Sequence, residues 1–117
     1  MLQFTLDTRA LSVNKAWRGG QRFKSKDYLM FEREILYLLP KKHIDGEIEI
    51  DYRFYLKKNY SRSDVSNLIK VLEDIMVKAD IITDDSLVKR FTAEKFKAEK
   101  DYIEIKIKQY NEEIDNT

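Results

Sequence analysis

Apolar and polar positions alternate with a period of two near both ends of the chain and once in its middle. Leu2, Phe4 and Leu6 alternate with Gln3, Thr5 and Asp7, the pattern of a half-buried strand. The cleanest strand is predicted over Glu47 to Leu56. There Ile48, Ile50, Tyr52, Phe54 and Leu56 share one face, and Glu49, Asp51, Arg53 and Tyr55 the other. Ile103, Ile105 and Ile107 against Glu104, Lys106 and Lys108 predict a last strand. Leu87 to Phe96 reads as extended, with weaker alternation.

Two segments carry the helical period instead. Tyr28, Phe31, Ile35, Leu38 and Leu39 fall on one face of a helix with Asp27 as its N-cap. Pro40 ends it, because proline disfavours a helical residue before it. Val65, Leu68, Leu72, Ile75, Met76 and Ala79 form the stripe of a second helix that begins at Asp64. Asp80 is expected in the left-handed conformation that closes this helix, a role usually held by glycine and tolerated by Asp or Asn.

The expected order is β-α-β-α-β-β, an α+β fold with a small mixed sheet and helices packed on it; α/β is the near alternative. The second helix serves as a crossover between two parallel strands. The last two strands are expected to form a hairpin across Glu99-Lys100-Asp101. Residues 8 to 26 lose periodicity, with Gly19-Gly20 marking a loop or a hairpin tip. A polar loop covers Lys57 to Ser63, and Thr83-Asp84-Asp85-Ser86 forms a short turn. The whole chain, 1–117, reads as one domain, with 110–117 a frayed acidic tail.

Composition narrows the chemistry. With 117 residues the chain supports one core. It has no cysteine, which excludes thiolate nucleophiles and Cys zinc sites, and a single histidine, which excludes a multi-histidine metal centre. His43 is read as a solvent-facing loop residue. No apolar run is long enough to span a membrane, and no signal peptide is visible, so a soluble cytoplasmic protein is expected.

The net charge of +1 conceals an uneven distribution. Residues 8 to 26 hold Arg9, Lys15, Arg18, Arg22, Lys24 and Lys26 without an acid. Residues 52 to 63 hold Arg53, Lys57, Lys58 and Arg62, again without one. Trp17, Phe23 and Tyr60 are interleaved. Such loops suit phosphate backbones and exposed bases. A single basic loop is an ordinary solvated surface, but two place nucleic-acid binding beside that reading. For Trp17 a core role stands beside stacking on a base.

The acids gather at the second helix, the Asp84-Asp85 turn and the tail. Asp64 suits an N-cap, and Asp84-Asp85 suit a plain turn. Ser66, Asn67, Lys70 and Asp74 lie along the helix's polar face. In a simple crossover Asp64 lies at one end of the parallel strands and Asp84-Asp85 at the other. Topology alone does not join them within one subunit, and a tilted helix or a dimer interface are the alternatives.

The run Arg62-Ser63-Asp64-Val65-Ser66-Asn67-Leu68-Ile69-Lys70 resembles the RusA family of Holliday-junction resolvases, in which an Asp-x-Asp-Asn-Leu-x-Lys motif opens a helix. The family's later Asp-Asp pair has its counterpart in Asp84-Asp85, about fourteen residues after Lys70. Ser12-Val13-Asn14 with Trp17-Arg18 and Arg22 is similar to the family's N-terminal stretch and basic loop. The resemblance implies a homodimeric endonuclease that binds branched DNA, above all four-way junctions, and nicks two strands symmetrically with Mg²⁺, or Mn²⁺ as a substitute. It implies Asp64, Lys70 and Asp85 as the catalytic group, with Asp64 and Asp85 as metal ligands and Asp84 joining them if it turns inward. It also implies Asn67 as the asparagine that follows the second acid.

The chain departs at Ser66, where the family has its second carboxylate. Serine is a neutral, weaker ligand for a hard cation. A variant that still cleaves and a dimer that binds branched DNA without cleaving both follow from that change. A nuclease for flaps or RNA is a third reading. For DNA contacts the candidates are Asn14, Lys15, Arg18, Arg22, Lys24, Lys26, Lys57, Lys58, Arg62 and Asn67.

Overall fold

Three isoleucines spaced by two, Ile103, Ile105 and Ile107, are each almost fully buried. They lie on β6 (Tyr102–Gln109), which needs an apolar-faced neighbour on both sides. In the computed structural model, which describes residues 1–8, 17–18, 23–24, 26–57 and 65–110, it has them. β6 pairs antiparallel with β1 (Leu2–Leu6) on one side and with β4 (Ile48–Leu56) on the other. The register sets Phe4 and Tyr52 either side of Ile105, and Leu6 and Phe54 either side of Ile103. Rows of apolar side chains therefore run across one face of the sheet.

Two helices cover that face. α1 (Lys26–Leu38) contributes Tyr28, Phe31 and Ile35, and α2 (Val65–Lys78) contributes Leu68, Leu72, Ile75 and Met76. β5 (Val88–Lys97) pairs parallel with β4 and forms the edge, so the four-stranded order is β1-β6-β4-β5. α2 connects the two parallel strands, as the crossover reading requires. The mixed sheet with packed helices places the chain in the α+β class.

The expected hairpin of the last two strands does not form, because β4 lies between them. The reason is burial. β5 is exposed along most of its length and supplies no apolar face to match the β6 isoleucines, so it sits at the edge. The connection from β5 to β6 passes over the end of β4. The Ala98 N–H donates to the Leu56 carbonyl at 2.9 Å, and the Lys57 N–H donates to Asp101 Oδ1 at 2.7 Å.

Smaller differences have similar causes. α1 opens at Lys26, which puts Asp27 inside its first turn and not at the cap. Leu38 is partly exposed at 37 %, whereas Glu32 lies on the buried face. Lys78 Nζ on α2 donates to Glu32 Oε1 at 2.8 Å and makes that burial tolerable. Leu87 belongs to a short 3₁₀ turn (Asp85–Leu87) and not to the strand that follows. β2 (Trp17–Arg18) and β3 (Phe23–Lys24) pair antiparallel, which favours the hairpin over the open loop, while Gly19-Gly20 lie outside the described residues. The Tyr110 N–H donates to the Glu47 carbonyl at 2.9 Å, so Tyr110 extends the sheet and is no part of a frayed tail; 111–117 lie outside the described residues.

Candidate active site

The end of α2 fixes where the acidic turn sits. Asp80 takes φ +61°, the Asp80 N–H donates to Val77 O at 3.0 Å and the Ile81 N–H to Met76 O at 3.0 Å. These two bonds satisfy the last helical carbonyls in a Schellman arrangement, and the left-handed residue reverses the chain. Ile81 and Ile82 then plug into the core. The Ile44 N–H donates to Ile81 O at 2.9 Å, and Ile44 and Ile82 form a parallel bridge.

His43 clamps the same junction. Its Nδ1 donates to the Asp80 carbonyl at 2.7 Å, and Nε2 lies 2.9 Å from Asp45 Oδ1 and 3.3 Å from Thr83 Oγ1. Both ring nitrogens face acceptors, so the protonated ring is favoured. The Asp80 carbonyl, foremost, with the Asp80 and Asp45 charges, raises the His43 pKa above its ordinary value. A histidine read from sequence as a plain surface residue is therefore a clasp behind the acidic turn.

Within the turn the two aspartates do different things. Asp84 caps the 3₁₀ helix, its carboxylate accepting from the Ser86 hydroxyl and from the Ser86 N–H at 3.4 Å. The Ser86 hydroxyl, before all else, holds the Asp84 carboxyl below the usual carboxylate range. It is the Asp85 charge that reaches α2. Glu73, half-buried on that helix, has its pKa pushed up to about 7 by burial first, then by the Asp85 charge, then by Asp74.

Lys70 lies one turn before Glu73 and is exposed. The Tyr52 side chain on β4 is fully buried, and its hydroxyl has no hydrogen-bond partner among the described residues. Burial, with the Glu73 charge as the lesser cause, raises the Tyr52 pKa well above its ordinary value. The arrangement is an exposed Lys70 and a half-buried Glu73 on α2, with the Asp85 charge bearing on Glu73 from the turn before β5.

Of the residues expected from sequence, Lys70 is exposed on α2, and Asp84 and Asp85 lie in the short turn before β5. Ser66 and Asn67 have described backbones in the first turn of α2, and Asp64 lies outside the described residues. Val65, the first helical residue, is about 12 Å along the axis from Glu73 at the helical rise.

Among the basic candidates, Lys26 opens α1 and Lys57 follows β4, both exposed. Arg18 and Lys24 have described backbones in β2 and β3; Asn14, Lys15, Arg22, Lys58 and Arg62 lie outside the described residues. Arg53 departs from the basic-loop reading, since its Nε donates to Asp51 Oδ2 at 3.2 Å on the solvent face of the sheet. Glu73, Tyr52 and His43 are the residues that sequence reasoning passed over. Glu73 had a signal, since it sits three residues after Lys70 and seven after Ser66 on one helix face.

Hard divalent cations take oxygen donors, and Mg²⁺ is commonly held by one or two carboxylates with waters and substrate phosphates completing its shell. Among the described residues no group of three or more His, Asp or Glu is arranged to hold a metal. Glu73 and Asp85, the charge of one bearing on the other, are carboxylates of the donor class that such an ion takes.

The family model described as endodeoxyribonuclease RusA matches residues 9–108. A crossover junction endodeoxyribonuclease RusA of Aquifex aeolicus is 31 % identical over 98 residues, covering 80 % of this chain and 77 % of that protein. The match spans the β2–β3 segment, both helices, the acidic turn and the last strand but one residue, so it embraces every element described above except β1. On that coverage the chain belongs to the RusA family of endodeoxyribonucleases.

Proposed function

We propose that this endonuclease resolves four-way DNA junctions by paired symmetric nicks, using Mg²⁺ and acting as a homodimer in cytoplasmic DNA recombination and repair. The observation that carries the reading is the approach of Asp85 to the face of α2 that bears Lys70. A carboxylate that bears on a helix which also carries an exposed ammonium suits phosphodiester hydrolysis. The name of the Aquifex relative supplies the substrate class.

In this reading Asp85 holds the metal with Asp64, and Asp84 shapes the turn that aims Asp85. Mg²⁺ supplies a water of lowered pKa and charge stabilisation at the scissile phosphate. Lys70 offsets charge that develops on the phosphate as the bond breaks. The candidates Asn14, Lys15, Arg18, Arg22, Lys24, Lys26, Lys57, Lys58, Arg62 and Asn67 bind the DNA arms. A junction with two-fold symmetry matches a two-fold dimer that presents two such sites.

A labelled four-way junction incubated with the protein tests this. Symmetric nicks in Mg²⁺ that vanish in EDTA and in Asp85→Asn are expected. Ser66 favours a second reading, a dimer that binds branched DNA without cutting it. Tight junction binding with no nicks in Mg²⁺ or Mn²⁺ would establish that second reading. Preferential cutting of flaps or RNA in competition would move the substrate assignment.

A further inference from the structure

β5 leaves one of its two hydrogen-bonding edges open. It pairs parallel with β4 and, among the described residues, with no strand on its other side. At ten residues it is the longer of the two edge strands, since β1 has five. It contains no proline and is exposed over most of its length. Alternate residues of such a strand turn both N–H and C=O outward, a template for a further strand. Among the described residues, Phe91 is the one large apolar side chain of this sheet that stays mostly exposed, at 53 %.

The side chains of β5 match a second copy of the same strand. Two copies running antiparallel are related by a two-fold axis. That axis must pass through a residue and not between two, because outward-facing groups recur only at every second position. With the axis at Thr92, Arg90 lies opposite the partner's Glu94, and Glu94 opposite the partner's Arg90. Both residues belong to the solvent face, in register with Glu49 and Arg53 of β4. On the other face the same axis sets each Phe91 against the partner's Ala93, which covers the exposed ring. An axis at Phe91, Ala93 or Glu94 brings no opposite charges together, and the last sets Glu94 against itself. The register to β4 shifts at Lys89, and this bulge ends the matched stretch at Arg90.

We propose that the open edge of β5 is the dimer interface of this enzyme, an antiparallel β5–β5 pair centred on Thr92 that joins the four strands of each protomer into one continuous sheet. This surface serves the homodimer proposed above, and its assignment rests on that reading. The two-fold axis stands normal to the joined sheet, so both copies of α2 lie on the same side of it and run antiparallel.

The chain has no cysteine, so a single introduced thiol reports the contact. Thr92→Cys in the full-length protein is expected to form a covalent dimer under mild oxidation, because an axis at that residue brings its two copies within disulfide reach. Gln3→Cys, on the opposite edge strand, is expected to stay monomeric on a denaturing gel. Sedimentation equilibrium gives a second readout. Glu94→Arg and Arg90→Glu should each weaken dimerisation about tenfold or more, since each sets like charges opposite one another at two symmetry-related places. Mixed together, the two variants should form a heterodimer tighter than either homodimer, because every pair across the axis is then of opposite charge; a loss of fold would give no such recovery. Cross-linking through Gln3→Cys in place of Thr92→Cys would overturn the proposal. So would Glu94→Arg dimerising within about twofold of wild type with no Thr92→Cys cross-link. In either case the homodimer reading stands and only the role of β5 fails; if wild type is monomeric at every concentration, both fail.

Discussion

At the scale of single residues, two titrating groups give this region its pH dependence, and both contributions are lost as pH rises. His43 has its pKa raised above 6.5 by the Asp80 carbonyl. Its protonated form is favoured in the folded state, so its contribution is fully present below the unfolded value and is lost as pH rises through the folded one. His43→Asn is therefore expected to lower the melting temperature more at pH 5.5 than at pH 8.5, compared by calorimetry. Glu73 is an acid whose folded pKa, about 7, lies above its ordinary 4.5. The fold holds that proton more tightly than the unfolded chain does. Stability associated with it is present below the ordinary value and lost as pH rises toward 7. Metal-free Glu73→Gln should accordingly melt higher than wild type at pH 8, and the gain should disappear near pH 4.5.

At the scale of elements, the covering of the sheet by α1 and α2 is the main source of stability. Leu72 lies fully buried at the centre of α2, and Leu72→Ala should destabilise by about 2–5 kcal/mol in urea unfolding, through lost contact and a residual cavity. Lys78→Met removes the cation that meets buried Glu32 at 2.8 Å and should cost roughly 1–3 kcal/mol. The elements themselves were largely legible in the sequence. Alternation marks β1, β4 and β6, helical spacing marks α1 and α2, and Asp80 marks the left-handed stop. The place of β5 was not legible, because strand order depends on which distant strand can match the β6 isoleucines. Glu73 was missed for a related reason: a helix wheel shows its face but not that the 81–87 turn returns to it.

At the scale of the whole molecule, opposite charges occupy separate regions. Acids cluster where α2, the 3₁₀ turn and Tyr52 meet, whereas Lys26 and Lys57 lie at the ends of neighbouring elements. On the solvent face of the sheet, Glu49 is met by Arg90 at 3.2 Å and Lys108 at 2.8 Å, and Arg53 by Asp51. That face is internally compensated, which leaves the loop cations to meet phosphate. Junction affinity should fall steeply between 50 and 200 mM salt, and Lys57→Ala combined with Lys26→Ala should flatten that salt slope by about two contacts in gel-shift titrations.

The face of α2 bearing Lys70 and the turn bearing Asp85 are proposed to form one hydrolytic site for branched DNA. Single-turnover cleavage of a labelled four-way junction in Mg²⁺, comparing wild type with Asp85→Asn and Lys70→Ala, addresses it most directly. Symmetric nicks are expected from wild type, with losses of about 10² or more in rate in each variant and junction binding retained. Cleavage by Asp85→Asn and Lys70→Ala at the wild-type rate would contradict it.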